Sequence, residues 1–361
     1  MRNDEEGGKG VASPERRSFM KAAGAGAGAL AAAGTALHEL SLVRPAAANT
    51  TGGEAGGTPI GEPWWPSRWG ADDQAGASNW MTPDKALEAA ALIRQGRVFD
   101  LSQIYDADMP LFGSRAFALR IPGAPTGGVF GRNKIIWNDE FLATEIGQVG
   151  TQFDGLGHIG VEAGASGDQN ERRFYNGFTL ADMASPYGLQ KLGVEQVKPF
   201  FTPGTLIDVA GARGGMLDVG EEISVADLQA ALERQGLTEE AIAPGDVVLI
   251  HTGWSSLWGV DNERYVSGEP GVGVEAGRWL AEKEVCLVGG DCWAVEVVPN
   301  PDENLAFPVH QEWLVKHGIY LHENLRLAEM VEAEAWRFAY VYAPVRIRGA
   351  TGSPGSPLAV I

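Results

Sequence analysis

Residues 147–160 read GQVGTQFDGLGHIG, in which Gln148, Gln152, Asp154 and His158 follow the spacing Gln-x3-Gln-x-Asp-x3-His among five glycines. So many glycines suit neither a helix nor a strand interior, which points to a backbone bent to gather polar side chains. In an extended stretch residues two apart share a face, so Gln152 and Asp154 can point at one ion. His158, beyond Gly155 and Gly157, can return close by as a general base. Two later segments offer the same chemistry. PVHQEWLVKHGIYLHENL (308–325) carries His310, His317, His322 and Glu323, and GGDCWAVE (289–296) carries Asp291 and Glu296 just past a strand end, where loops tend to carry function. A divalent cation needs three or four nitrogen or oxygen donors converging in this way. His310 from a helix and Glu323 past the next strand could complete the set from the opposite side. Taken singly, a histidine is more often a hydrogen-bonded core or surface residue, and His317 and His322 fit that description. His251, at a strand end in VLIHTGW, is open to either reading, and one aspartate beside glycines is usually a turn.

The elements that must position these groups are legible in outline. In NWMTPDKALEAAALIRQGRVFDLS (79–102) Thr82 caps a helix, Pro83 takes its first position, and Gly96 closes it before a strand from Val98. Two apolar runs meet at Asn138-Asp139-Glu140, which predicts a β-hairpin running straight into the Gln148 motif. TLIDVA (205–210) and DVVLIHTGW (246–254) read as buried strands. ISVADLQAALERQG (223–236) reads as a helix with a Ser224/Asp227 capping box and Gly236 at its close. Residues 273–283 are helical, so GVGVEAG (271–277) starts a helix and is no dinucleotide loop. EVCLVGGDCWAVE is a strand leaving into a turn, FPVHQEWLVKHG a short helix before the strand IYLHENL, and AWRFAYVYAPVRI the last long strand. Strands and helices interleave from residue 200 and residues 98–150 lean towards β, giving one domain of mixed α/β class over residues 49–361.

Composition narrows the partners. The 361 residues carry a formal net charge of −19, which disfavours nucleic acid and anionic membrane surfaces. Cys286 and Cys292 lack the spacing of a zinc or redox site and read as buried thiols. Trp64, Trp65, Trp69 and Trp80, with RRFYNGF (172–178), read as core or subunit-interface packing more readily than as pocket walls. No G-x-S-x-G elbow supplies a serine nucleophile. At the N-terminus Arg16 and Arg17 precede Phe19, Lys21, an Ala/Gly-rich run and a small-residue cleavage site. Residues 1–48 therefore read as a twin-arginine signal cut near Ala48, with export through the twin-arginine translocase to the periplasm or beyond. The run is too short and too rich in alanine and glycine to insert well as a membrane span.

The chain resembles the cyclase family, the metal-dependent hydrolases that include bacterial kynurenine formamidase and isatin hydrolase. That family's signature, H-x-G-T-H-x-D-x-x-x-H, falls on Gln148-Val149-Gly150-Thr151-Gln152-Phe153-Asp154 and then His158. RWGADDQAGASNWMTPDKALEAA, PGDVVLIHTGW, VGGDCWAVE and RIRGATGSPGSPLAV resemble its other blocks, so the similarity covers most of residues 68–358. It implies a swivelling β/β/α fold: a mixed sheet curled into a barrel-like core with helices outside. It also implies Asp154, His310 and Glu323 as metal ligands, with Gln152 beside them and His158 as catalytic base. Gln148 and Asp291 would then lie behind the ligands or serve a second ion. Two family histidines are glutamines here, which shifts preference from zinc towards manganese; the Gln-x3-Gln-x-Asp variant resembles that of trans-dienelactone hydrolase. The implied activity is opening of a cyclic ester or amide by water activated on one divalent ion, Mn or Zn, in a homo-oligomer. An aryl formamidase, or an exported binding protein without catalysis, are the alternatives.

Overall fold

Runs such as Val247–Ile250 and Leu287–Val288 are apolar at every position, the pattern of strands buried on both faces. In the computed structural model, which describes residues 60–361, they lie at the centre of a nine-stranded mixed sheet. The signal expected over residues 1–48 lies outside the described residues. In chain order the strands are β1 (Val98–Asp100), β2 (Gln152–Asp154), β3 (Phe200–Asp208), β4 (Val247–His251), β5 (Leu287–Gly290), β6 (Tyr320–Glu323), β7 (Arg337–Tyr342), β8 (Gly352–Pro354) and β9 (Leu358–Val360). Their order across the sheet is β1-β9-β7-β3-β4-β5-β6-β2-β8. The four central strands, β3 to β6, are parallel, with Leu206, Leu249 and Gly289 in register. The flanking strands pair antiparallel, and the sheet curls through 272° into an incomplete barrel, the barrel-like core expected above.

Helices cover the outside. In α1 (Pro83–Leu92) the Thr82 side chain accepts from the Lys85 amide at 3.2 Å. This helix stops at Leu92, four residues before Gly96, because Ile93 is already extended. The expected capping box holds the start of α2 (Val225–Arg234), which buries Leu228, Ala231 and Leu232. In α3 (Val274–Glu282) Ala276, Gly277, Leu280 and Ala281 face inward. Then α4 (Pro308–His310) continues as a π-helical turn, Gln311–His317. Among the described residues no helix is long and apolar enough to cross a membrane.

The hairpin predicted at Asn138-Asp139-Glu140 does not form. Ile135–Trp137 pairs instead with Gly127–Phe130, and Phe141–Thr144 with Phe117–Arg120, giving two separate ribbons. The tripeptide is the corner between them, tied by the Asp139 amide donating to Thr126 Oγ1 at 2.8 Å. The Trp137 indole lies over Gly127, where any Cβ would collide with it, so a small residue on the partner strand selects that pairing.

His322 illustrates how alternation along β6 sorts side chains. It points into the aromatic core beside Phe153 and Tyr342, and shares a hydrogen bond with the Tyr340 hydroxyl at 2.6 Å. Burial pushes it down to about 3, whereas in the unfolded chain it titrates near ~6.5. The unfolded state therefore takes up this proton first as pH falls. Its contribution is fully present above ~6.5 and is lost below it at about 1.4 kcal/mol per pH unit. Between pH 7 and 5 the urea midpoint of the native protein is expected to fall relative to that of His322→Gln; equal changes in both proteins would contradict the burial argument.

Candidate metal centre

Strand β2 brings the motif to the centre. It runs antiparallel between β6 and β8, with Gln152 opposite Glu323 and Asp154 opposite Leu321. Cross-strand partners share a face and the strand period is two, so Gln152, Asp154 and Glu323 all project to one side. Phe153 takes the other side and packs in the core against Tyr320 and Phe200. The glycines allow this close approach. Gly150 has φ of 62° and the Tyr105 ring lies against it, while Gly147 abuts the backbone of Gly352. Thr151 locks the entry by accepting from the Gln103 amide and donating to the Asn324 carbonyl, each at 2.8 Å.

His310 arrives from α4. Glu296 accepts from the backbone amides of Val309 and His310 at 3.1 and 2.9 Å, and holds His310 Nδ1 at 2.5 Å. This leaves Nε2 to face the centre, as a carboxylate behind a metal-bound imidazole would arrange it. That Nε2 lies 3.3 Å from Glu323 Oε1 and 3.7 Å from Asp154 Oδ2. Asp154 Oδ1 accepts from the Gln148 amide at 3.0 Å, whereas Oδ2 is buried with no hydrogen-bond partner. An orphaned carboxylate oxygen among buried donors is costly unless a cation meets it. Asp154, His310 and Glu323 offer one donor atom each, all within 4.8 Å of one another. Two carboxylates and an imidazole suit a divalent ion. Gln152 donates its amide nitrogen to Glu323 Oε2, so its oxygen is the atom it can turn to an ion.

The electrostatics agree with that fit. Burial, and then the neighbouring Asp154, push Glu323 up to about 7. Burial pulls His310 down, but Glu296 and Glu323 outweigh it and hold the imidazole well above its usual range. The cluster thus keeps protons that a divalent cation would displace. Removing metal with a chelator is expected to lower the melting temperature by about 5–10 °C, restored on adding Mn²⁺. Affinity is expected to rise from pH 6 to 8; a pH-independent affinity would argue against the proton-laden cluster.

A cavity of about 190 Å³ opens onto these groups, lined by Phe112, Arg115, Trp293 and Phe307 together with His158 and Gln148. The Phe112 and Trp293 rings stack at 4.3 Å and 19°. His158 Nε2 lies 3.6 Å from Asp154 Oδ2, and burial holds its imidazole below the usual 6.5 despite that aspartate. Five of the residues singled out from sequence therefore converge: Gln152, Asp154, His158, His310 and Glu323, with Gln148 directly behind Asp154.

Others do not. Asp291 is not at the centre: its carboxylate accepts from the Thr252 amide and hydroxyl at 2.8 and 2.7 Å and from the Gly253 amide at 2.9 Å, tying the ends of β4 and β5 together. Glu296, five residues on, is the carboxylate that holds His310. His251 lies between Asp208, at 2.8 Å, and Asp291, at 3.8 Å, away from the cavity. His317 pairs with Glu312. The tryptophans near residue 65 meet edge to face in two pairs, Trp64 with Trp65 and Trp69 with Trp80, outside the cavity. Phe112, Arg115 and Phe307 line the cavity although no spacing links them to the motif, and Trp293 stands within GGDCWAVE with no local signal of its place.

A curled β/β/α sheet carrying a buried carboxylate–imidazole centre beside an aromatic cavity defines a class of protein built to hold a divalent cation. Residues 99–297 match the Cyclase family. A crystal structure described as a novel cyclase is 32% identical, aligns with 81% of this chain and 98% of its own, and superposes with a TM-score of 0.69. The chain belongs to the cyclase family. Isatin hydrolase A from Ralstonia solanacearum shares the fold at 23% identity, over 77% of this chain and 97% of its own, with a TM-score of 0.53. Isatin hydrolase A from Labrenzia aggregata, solved with benzyl benzoate, does so at 21%, over 75% and 94%, with a TM-score of 0.52. No curated protein sequence matches the chain. These comparisons do not support the expected likeness to trans-dienelactone hydrolase, which rested on the glutamine motif alone.

Proposed function

We propose that the protein is a metal-dependent hydrolase that opens a cyclic ester or amide, such as a lactone or imide, with water. The observation that carries this reading is the orphaned Asp154 oxygen among buried metal-donor atoms, with His158 beside it in the wall of a cavity. The structural neighbours named as isatin hydrolases support hydrolysis over binding alone.

Asp154, His310 and Glu323 would hold the ion, with the Gln152 oxygen available as a further donor. A bound divalent ion supplies an acidified water and a polarised carbonyl; the amide and carboxylate oxygens favour manganese over zinc. His158 is neutral near pH 7 because burial holds it down. It accepts the proton of the attacking water and returns it to the leaving oxygen or nitrogen. Asp154, 3.6 Å away, stabilises the imidazolium formed in between. Glu296 keeps His310 in one tautomer, and the stacked Phe112 and Trp293 give a flat ring an apolar wall that sheds water.

Metal content by elemental mass spectrometry, followed by assay on a lactone, an imide and an aryl formamide, tests the reading. About one ion per chain with turnover of the rings supports it. Turnover of the formamide alone moves the assignment to an aryl formamidase, and bound metal without any turnover moves it to a binding protein.

Export by the twin-arginine route belongs to the same proposal, supported by Arg16 and Arg17 ahead of the Ala/Gly-rich run. So does a homo-oligomer. On the two ribbons Val129, Phe130, Ile136 and Phe141 are exposed by 57–68% each, and large apolar side chains left exposed together are a mark of interaction surfaces. Light scattering is expected to give at least twice the chain mass, and a monomer mass would remove this part.

A further inference from the structure

We propose that Arg115 reads an anionic group, so that the substrate carries a carboxylate a few bonds from its scissile carbonyl. This rests on the hydrolase reading of the cavity. Among the described residues that line it, Arg115 is the only lysine or arginine. Arg115 makes no ion pair among the described residues, and of the arginines of which that is true it is the one that lines the cavity. Its guanidinium donates to Gln148 Oε1 at 3.2 Å. A guanidinium has five N–H donors in a planar fork matched to a carboxylate, so most of them remain for a ligand.

Placement defines what that ligand is. Gln148 accepts from Arg115 and donates to Asp154 Oδ1 at 3.0 Å, so one amide separates the guanidinium from the centre. A group held on Arg115 therefore sits a few bonds from the carbonyl under attack. The Arg115 guanidinium carbon lies 5.6 Å from the Phe112 ring centroid, and Phe112 in turn stacks on Trp293. Cation–π contact orients the fork, and the same pair of rings walls the flat body of the substrate. Charge points the same way. A divalent ion would offset two of the three carboxylate charges of Asp154, Glu323 and Glu296, and Arg115 offsets the third, so the loaded site does not repel an anion. In a chain of net charge −19, an anionic substrate needs such a local counter-charge to approach.

The test compares phthalide-3-carboxylate with the neutral phthalide-3-carboxamide as substrates of the Mn-loaded protein, its Arg115→Gln variant and its Arg115→Lys variant. The native protein is expected to favour the carboxylate. Arg115→Gln is expected to lower the carboxylate-to-carboxamide ratio of kcat/KM by about 30–100-fold, the size of a lost charge-assisted pair, and Arg115→Lys to restore part of it. Equal losses on both substrates would mean that Arg115 only props Gln148, and would overturn the proposal. Calorimetric titration with benzoate separates this from the hydrolase reading. Affinity that falls at least about tenfold in Arg115→Gln supports the anion site even if neither phthalide is turned over. Equal benzoate affinity in both proteins overturns it whatever the activity.

Discussion

Asp154→Asn is expected to strip the metal from the protein and to lower kcat/KM by about 10³-fold or more. Asparagine keeps the volume and an oxygen for the Gln148 amide, so the hydrogen bond at 3.0 Å can persist. What it removes is the charge on the oxygen that faces His158 and His310 with no partner of its own. Electrostatic stabilisation of charge developing at a carbonyl is commonly the largest catalytic contribution, several kcal/mol, which sets the scale of the loss. The substitution also relieves the crowding that, after burial, raises Glu323. The metal-free variant is thus expected to melt no lower than the metal-free native protein. Elemental analysis and a thermal scan of both proteins check the two halves. Retention of one ion per chain in Asp154→Asn would show that the donor set has been assigned wrongly.

His158→Ala is expected to behave differently: metal retained, and kcat lower by about 10²–10⁴-fold, the usual contribution of a general base. His158 lies on the cavity wall, 3.6 Å from Asp154, and the three converging ligand atoms do not include it. The pH dependence carries a sign. Burial disfavours the imidazolium and holds it below 6.5, and a bound cation nearby moves it further in the same direction. At saturating metal, activity should therefore be full at neutral pH, with its acid limb below 6.5, and the variant should lose that limb. If His158→Ala protein emerges without metal, the residue is a ligand and the base must be sought elsewhere.

Both predictions start from a motif that was legible as a string, because its information is local. Gln152 and Asp154 share a face since a strand has a period of two, and Phe153 between them goes to the core for the same reason. The Thr82 cap and the Ser224/Asp227 capping box are equally local, since each side chain bonds a backbone amide three residues on. Glu323 and His322 are adjacent residues with opposite fates, one at the centre and one in the core, and alternation decides that they differ. Which of them faces the ion depends on the register with β2.

That register belongs to tertiary structure. Gln152 and Glu323 are 171 residues apart, and their pairing rests on the packing of the whole sheet. Asp291 and Glu296 occupy one turn and are chemically alike, yet only Glu296 meets the amides at the start of α4 and so orients His310. The ribbons exchanged partners because Trp137 found room over Gly127, a contact that two apolar runs flanking a polar tripeptide do not encode. Arg115 and Phe112 reach the cavity from a loop with no pattern of its own. The sequence by itself determined the chemistry available, a glycine-bent strand with an amide, a carboxylate and an imidazole, together with the caps and the alternation around it. Long-range pairing in the curled sheet decided which distant carboxylates and aromatic rings would meet that chemistry, because no short-range periodicity records a contact closed only when the sheet is complete.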